Sequence, residues 1–244
     1  VNPALTLATA RRILTQLRHD PRTVAMLILV PSLLMVLLRF VLNSPRLFNA
    51  TAPALLGVFP FLAMFLVTSI TTLRERTSAT LERLMTLPIA RLDLLFGYAL
   101  AFGAIAVVQV AVATGVSLAW LDLDIRGSLW LLLLIAVLDA LLGMALGLFV
   151  SAFARTEFQA IQFMPVFVLP QILLCGLFVA RGSMGWLLNW LSNVMPLSYA
   201  VEALGEVTSS STVDVTLIRD LLVVAGCTLL ALVLGAATLR RRTP

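Results

Sequence analysis

Apolar residues run through this chain in long unbroken stretches, not in the alternation of a half-buried strand. Stretches bounded by charged or polar residues cover Thr23–Leu42, Ala54–Leu73, Leu94–Leu121, Leu129–Phe153, Ala160–Ala180 and Leu221–Leu239. Each is long enough to supply the roughly 20 residues that a helix needs to cross a bilayer. The pattern therefore predicts six transmembrane helices. The third and fourth exceed the bilayer thickness and are expected to tilt or project.

Two segments depart from this pattern. From Asn2 to His19 an Asn-Pro helix start leads into Leu7, Ala10, Ile13, Leu14 and Leu17 at helical spacing, opposite Arg11, Arg12, Gln16 and His19. This predicts an amphipathic helix lying on the membrane surface. Between Arg181 and Asp220, two short apolar pieces, Met184–Leu191 and Leu197–Leu204, flank Met195-Pro196, and the polar stretch Thr208–Thr212 closes the region. Neither piece is long enough to cross, so a re-entrant or capping pair of helices is expected.

Composition agrees with the pattern. The chain has 244 residues, 61% of them hydrophobic and 12% charged, and a mean hydropathy of +1.05. A soluble domain carries about 25% charged residues, so this chain has too little polar surface to cover a water-facing globule. The six spans leave no room for a folded soluble catalytic domain. All 17 basic residues are arginine, which gives a net charge of +5. In a membrane protein that excess sets orientation and is not a nucleic-acid footprint, so no nucleic-acid partner is expected. With the N-terminus inside, twelve arginines fall in inner segments and five in outer ones, which predicts that both termini are cytoplasmic. Trp120, Trp130, Trp186 and Trp190 all fall on the outer side, as an aromatic belt should. A cleaved signal peptide is not expected, because the first apolar run lacks a small-residue cleavage site. Cys175 and Cys227 both lie inside apolar runs and read as core thiols. His19 has no second ligand candidate, and no metal site is expected.

The loop after the second span carries the most information. It runs from Arg74 to Asp93, and within it none of Glu75, Arg76, Glu82 and Arg83 has an opposite charge three or four positions away. As a helix it would place Thr77, Leu81, Leu84 and Met85 on one face and Glu75, Ser78, Glu82 and Thr86 on another, until Pro88 ends it. Such a segment is either a solvated, orientation-setting loop or a docking element for a soluble partner.

Glu75-Arg76-Thr77-Ser78-Ala79-Thr80-Leu81-Glu82-Arg83-Leu84, followed by Pro88, Arg91 and Gly97, resembles the E-R-x-x-G-T-L-E signature of type-2 ABC exporter permeases. Ala79 stands where that family usually has glycine, and Tyr98 stands where lysine commonly follows Gly97. The likeness continues through Pro165, Pro170 and Gly176 and through Met195-Pro196-Leu197-Ser198-Tyr199-Ala200-Val201-Glu202-Ala203-Leu204. The resemblance implies an all-α domain over residues 1–244, with an interfacial helix at 1–22, a cytoplasmic coupling loop at 74–93 and an outer re-entrant hairpin at 181–220. It also implies a second permease subunit, identical or homologous, and two separate ATPase subunits contacted through Glu75, Arg76, Thr80, Leu81, Glu82 and Arg83. ATP and Mg would sit on those partners. With no lysine, this chain cannot hold a G-x-x-x-x-G-K-[ST] phosphate loop, and no cofactor or enzymatic activity of its own is expected. The implied activity is export of a hydrophobic or amphipathic compound, drug or lipid-like, across a bacterial cytoplasmic membrane.

Polar residues at membrane depth are few. Asp139 falls in the fourth span, where an unpaired acid costs about 2.5–3.5 kcal/mol on insertion scales. It is either a helix-to-helix contact or a substrate or proton contact. Gln109, Gln162 and Gln171 either line a translocation path or bond between helices. A gradient-driven transporter or channel is the alternative function, and Asp139 is its one candidate ionisable residue. A membrane-embedded enzyme would need clustered His, Asp, Glu, Ser or Cys at matched depth, and no such pairing is seen in the sequence.

Overall fold

A computed structural model of the protein describes residues 2–77, 90–210 and 212–238, and those residues form helices without strands. In chain order they are α1 (Pro3–Arg18), α2 (Pro21–Leu42), α3 (Pro45–Thr77), α4 (Arg91–Ala119), α5 (Leu129–Ser151), α6 (Glu157–Phe167) and α7 (Leu169–Leu174). After a 3₁₀ turn at Arg181–Ser183 come α8 (Trp186–Val194), α9 (Pro196–Ser209) and α10 (Val215–Thr238). Six helical stretches are long and apolar enough to cross a membrane: α2, α3, α4, α5, α6 with α7, and α10. They correspond one for one with the six apolar runs.

Local chemistry fixes where these helices start and stop. The Asn2 side chain accepts from the Ala4 amide and Pro3 opens α1, so the first turn is capped and its missing N–H costs nothing. Asp20 and Pro21 repeat the device at α2, with Asp20 accepting from the Thr23 amide at 3.3 Å and its hydroxyl at 2.6 Å. Asn43, in the left-handed region at φ 44°, ends α2 and lets the chain reverse into α3.

The fifth span is shorter than the apolar run that predicted it. The helix breaks at Val168, resumes for six residues and stops at Leu174, so Cys175–Ala180 lies outside it. Pro165 and Pro170 each remove a backbone donor, and Gly176 takes φ +97°, which a residue with a Cβ rarely adopts. Hydropathy sees none of these three constraints.

The core is built on α3 and α5, which run in the same direction in close contact. Gly57 faces Asp139, Phe61 faces Gly143 and Phe65 faces Gly147, a step of four residues on both helices. A Cβ at Gly143 or Gly147 would run into the backbone carbonyl of Phe61 or Phe65. The two backbones approach this closely only because α5 presents small residues there, the device by which helices associate in lipid. Around this seam α2, α4, α9 and α10 pack as an outer layer, and α1 lies along α4.

Candidate functional site

Charged and polar side chains gather at the two ends of the bundle, with a small set buried between them. At the α1 end, α1 is tied to the bases of two spans. Asp93, in the first turn of α4, accepts from the Asn2 amide at 2.7 Å and from the Ala90 amide at 3.3 Å. Arg12 of α1 reaches Glu75 near the end of α3 at 3.2 Å, with the Glu75 side chain nearly buried. Arg74, one residue earlier, holds Glu157 of α6 through Nε at 2.7 Å and Nη2 at 3.0 Å. Two ion pairs and a backbone-to-carboxylate hydrogen bond therefore tie α1 to α3 and α4, and α3 to α6.

Of the candidate coupling residues in the 74–93 loop, Glu75 and Arg76 are described. Glu75 is bonded by Arg12, which lies sixty-three residues away in sequence. Arg76 is half-buried, and its Nε makes no hydrogen bond among the described residues. Thr80, Leu81, Glu82 and Arg83 lie outside the described residues.

Beside this cluster lies a cavity of 460 Å³ between α1, α2 and α3, lined in part by Gln16, Asp20, Met26, Val67, Ile70 and Arg74. The hydroxyl and amide of Thr23 hold the Asp20 carboxyl below its usual range, and the charges of Arg74 and Arg22 act in the same direction.

The interior set is only partly assembled. Asp139 and Gln109 are fully buried, and their side-chain oxygens and nitrogen have no hydrogen-bond partner among the described residues. Asp139 Oδ2 lies 3.0 Å from where a Cβ on Gly57 would stand. Gln171 is buried and donates from Nε2 to the Phe167 carbonyl at 2.9 Å, across the break between α6 and α7. Gln162 is exposed on α6 and does not join the interior. Among the described residues, no group of three or more His, Cys, Asp or Glu side chains comes together as metal ligands.

The opposite end holds a cluster that the sequence did not announce. Arg181 pairs with Glu202 and with Asn193, and Arg219 pairs with Asp220 at 2.7 Å and approaches Glu202 at 4.0 Å. The two guanidinium carbons lie 4.9 and 5.8 Å from the Tyr199 ring centre, and the Tyr199 hydroxyl donates to the Asn193 carbonyl at 2.8 Å. Arg181 and Glu202 also help line a 370 Å³ cavity with Ala50, Pro53, Ala54 and Cys175. The available signal was the spacing of Tyr199 and Glu202, which puts both on one face of α9.

Comparison with known proteins bears on these features. A family model described as ABC-2 type transporter matches residues 3–207. ABC transporter G family member 20 of Dictyostelium discoideum is 27% identical over 165 residues, 67% of this chain and 22% of that protein. The probable multidrug ABC transporter permeases YbhR and YbhS of Escherichia coli (strain K12) are 28% identical over 124 residues and 27% over 158. Those matches cover 51% and 64% of this chain but 34% and 42% of the relatives, so the chain spans less than half the length of each protein that it matches.

Proposed function

Because the chain belongs to the ABC-2 type transporter family, a family of membrane permeases, we propose that it is the permease subunit of an ATP-driven exporter. Separate ATPase subunits carry ATP and Mg, and a second permease, identical or homologous, completes the assembly. The substrate is hydrophobic or amphipathic, drug-like or lipid-like, in keeping with the multidrug label on YbhR and YbhS. The membrane is a bacterial cytoplasmic membrane, and the arginine distribution puts both termini on the cytoplasmic side.

The observation that carries this reading is the ion-paired cluster at the α1 end. Segment 78–89 connects α3 to α4 in sequence, and the bases of both helices are bonded to α1. A push on that segment by an ATPase is therefore shared with α1 and, through Arg74 and Glu157, with α6. Nucleotide-driven movement of two such ATPases biases the paired bundles between inward-facing and outward-facing states. In this scheme Glu82, Arg83, Thr80 and Leu81 touch the ATPase, while Glu75 and Arg76 pass its movement into the bundle. α1 is the interfacial helix, and residues 181–220 form the outer re-entrant region. Gln109, Asp139, Gln162 and Gln171 are the candidate residues of the translocation path.

Pull-down of the tagged chain in mild detergent, with mass spectrometry and an ATPase assay on the eluate, tests this directly. A stoichiometric nucleotide-binding subunit with ATP turnover is expected, and a chain that purifies alone without turnover would sink the reading. Glu82→Arg should abolish partner binding and transport while leaving membrane insertion intact. Asp139, buried and without a hydrogen-bond partner among the described residues, favours a second reading, a gradient-driven transporter. Uptake into sealed vesicles driven by a proton gradient without ATP, and lost in Asp139→Asn, would decide for it.

A further inference from the structure

The cavity between α1, α2 and α3 has its charged lining at one end, with Ile13 and Leu17 beside it, and is mainly apolar at the other. Gln16, Asp20, Arg74 and Glu75 line it where α1 turns into α2. Met26 is six residues beyond Asp20, and Ile70 and Val67 precede Arg74 on α3 by four and seven, so the apolar lining lies one to two turns deeper toward the middle of the spans. Beyond Met26 the exposed residues Leu29, Leu33, Leu37 and Phe40 continue an apolar ridge along one face of α2.

The charges at the polar end are not neutralised by one another. Asp20 is held by Thr23 and feels the field of Arg74, but no ion pair joins the two. Arg74 turns Nε and Nη2 to Glu157, and its Nη1 makes no hydrogen bond among the described residues. Glu75 is engaged by Arg12. The site thus offers the Asp20 carboxylate on one wall and, on another, the outer edge of an Arg74 guanidinium already paired with Glu157, directly below a greasy groove.

We propose that this cavity binds a membrane phospholipid whose headgroup carries a primary ammonium beside its phosphate, that is, a phosphatidylethanolamine. The ammonium donates to Asp20 and to the Gln16 side-chain oxygen, the phosphate takes the free edge of Arg74, and one acyl chain follows Met26, Ile70 and Val67 onto the α2 ridge. A trimethylammonium headgroup has no N–H to donate. A glycerol headgroup brings the negative phosphate without a cation to face Asp20. The bound lipid fastens α1 to the spans, and the site is independent of what the protein transports.

The test is native mass spectrometry of the chain released from nanodiscs containing equimolar ethanolamine, choline and glycerol phospholipids with matched acyl chains. About one ethanolamine lipid per chain is expected, enriched on the order of tenfold over the other two, a preference of about 1.4 kcal/mol. Asp20→Asn keeps a competent helix cap and should reduce the enrichment to less than about twofold. Met26→Trp fills the apolar end and should lower retention of all three lipids. Soluble glycerophosphoethanolamine in excess should leave the lipid in place. Equal retention of the three lipids, preference for another headgroup, enrichment that survives both variants, or displacement by the soluble headgroup would each overturn the proposal.

Discussion

Helices α5 and α2 are both long, apolar and able to cross a membrane, yet one is the centre of the molecule and the other lies on its outside. Helix α5 carries Ala136, Ala140, Gly143 and Gly147 along one face, and α3 lies against that face with its backbone nearly in contact. Helix α2 has no such face, and Met26, Leu29, Leu33, Leu37 and Phe40 project from it, largely exposed. Hydrophobicity does not distinguish them, because lipid tails are as apolar as leucine and give no reason for one greasy helix to bury and another to face out. Side-chain size does: a face of small residues lets backbones approach, and a ridge of leucines does not.

The largest test of this contrast is Gly143→Val. Its Cβ would meet the Phe61 carbonyl, which belongs to backbone and cannot rotate away, so a loss of at least about 3 kcal/mol is expected. Thermal melting in detergent followed by size-exclusion chromatography reads it as a large drop in midpoint or loss of the monodisperse peak. A stable Gly143→Val protein would mean that α3 and α5 are not in this register.

Next in size is Arg12→Gln, which withdraws a charged partner from the nearly buried Glu75 carboxylate and is expected to cost about 1–2 kcal/mol. A double-mutant cycle with Glu75→Gln should return a coupling energy of about 1 kcal/mol or more. A coupling energy near zero would detach α1 from the base of α3. Arg74→Gln breaks a pair in which both side chains are about half-exposed or more, so its effect should stay below about 1 kcal/mol and fade at high salt. A larger, salt-insensitive loss would show that the pair is shielded from water in the membrane.

The smallest expected effect belongs to Leu33→Ala on the α2 ridge, within about 0.5 kcal/mol in the isolated chain. A loss near 2 kcal/mol, present only under conditions where the protein is oligomeric, would show that a second permease covers that ridge.

The ends of the molecule repeat the lesson at the level of charge. The absence of opposite charges three or four positions from Glu75 is legible in the sequence, but its partner Arg12 is not, because α1 reaches it only after the chain has crossed through α2 and returned through α3. Arg181, Glu202 and Arg219 likewise come from three separate segments and meet over Tyr199 only when α9 packs against α10. Asp93 was visible as a residue leading into a span, but its bond to the Asn2 amide was not.

What the sequence determined by itself is what depends on neighbours along the chain. Runs of apolar residues set six spans, Asn2-Pro3 and Asp20-Pro21 set two helix starts, and Glu75 to Leu84 carried the family resemblance. Only the tertiary structure decided which faces of those spans touch and where Glu75, Asp139 and Arg181 find their surroundings. The physical reason is that burial in a bilayer is satisfied by any orientation of an apolar helix. The choice among orientations then rests on the fit of small residues to backbone and on polar contacts between segments distant in sequence.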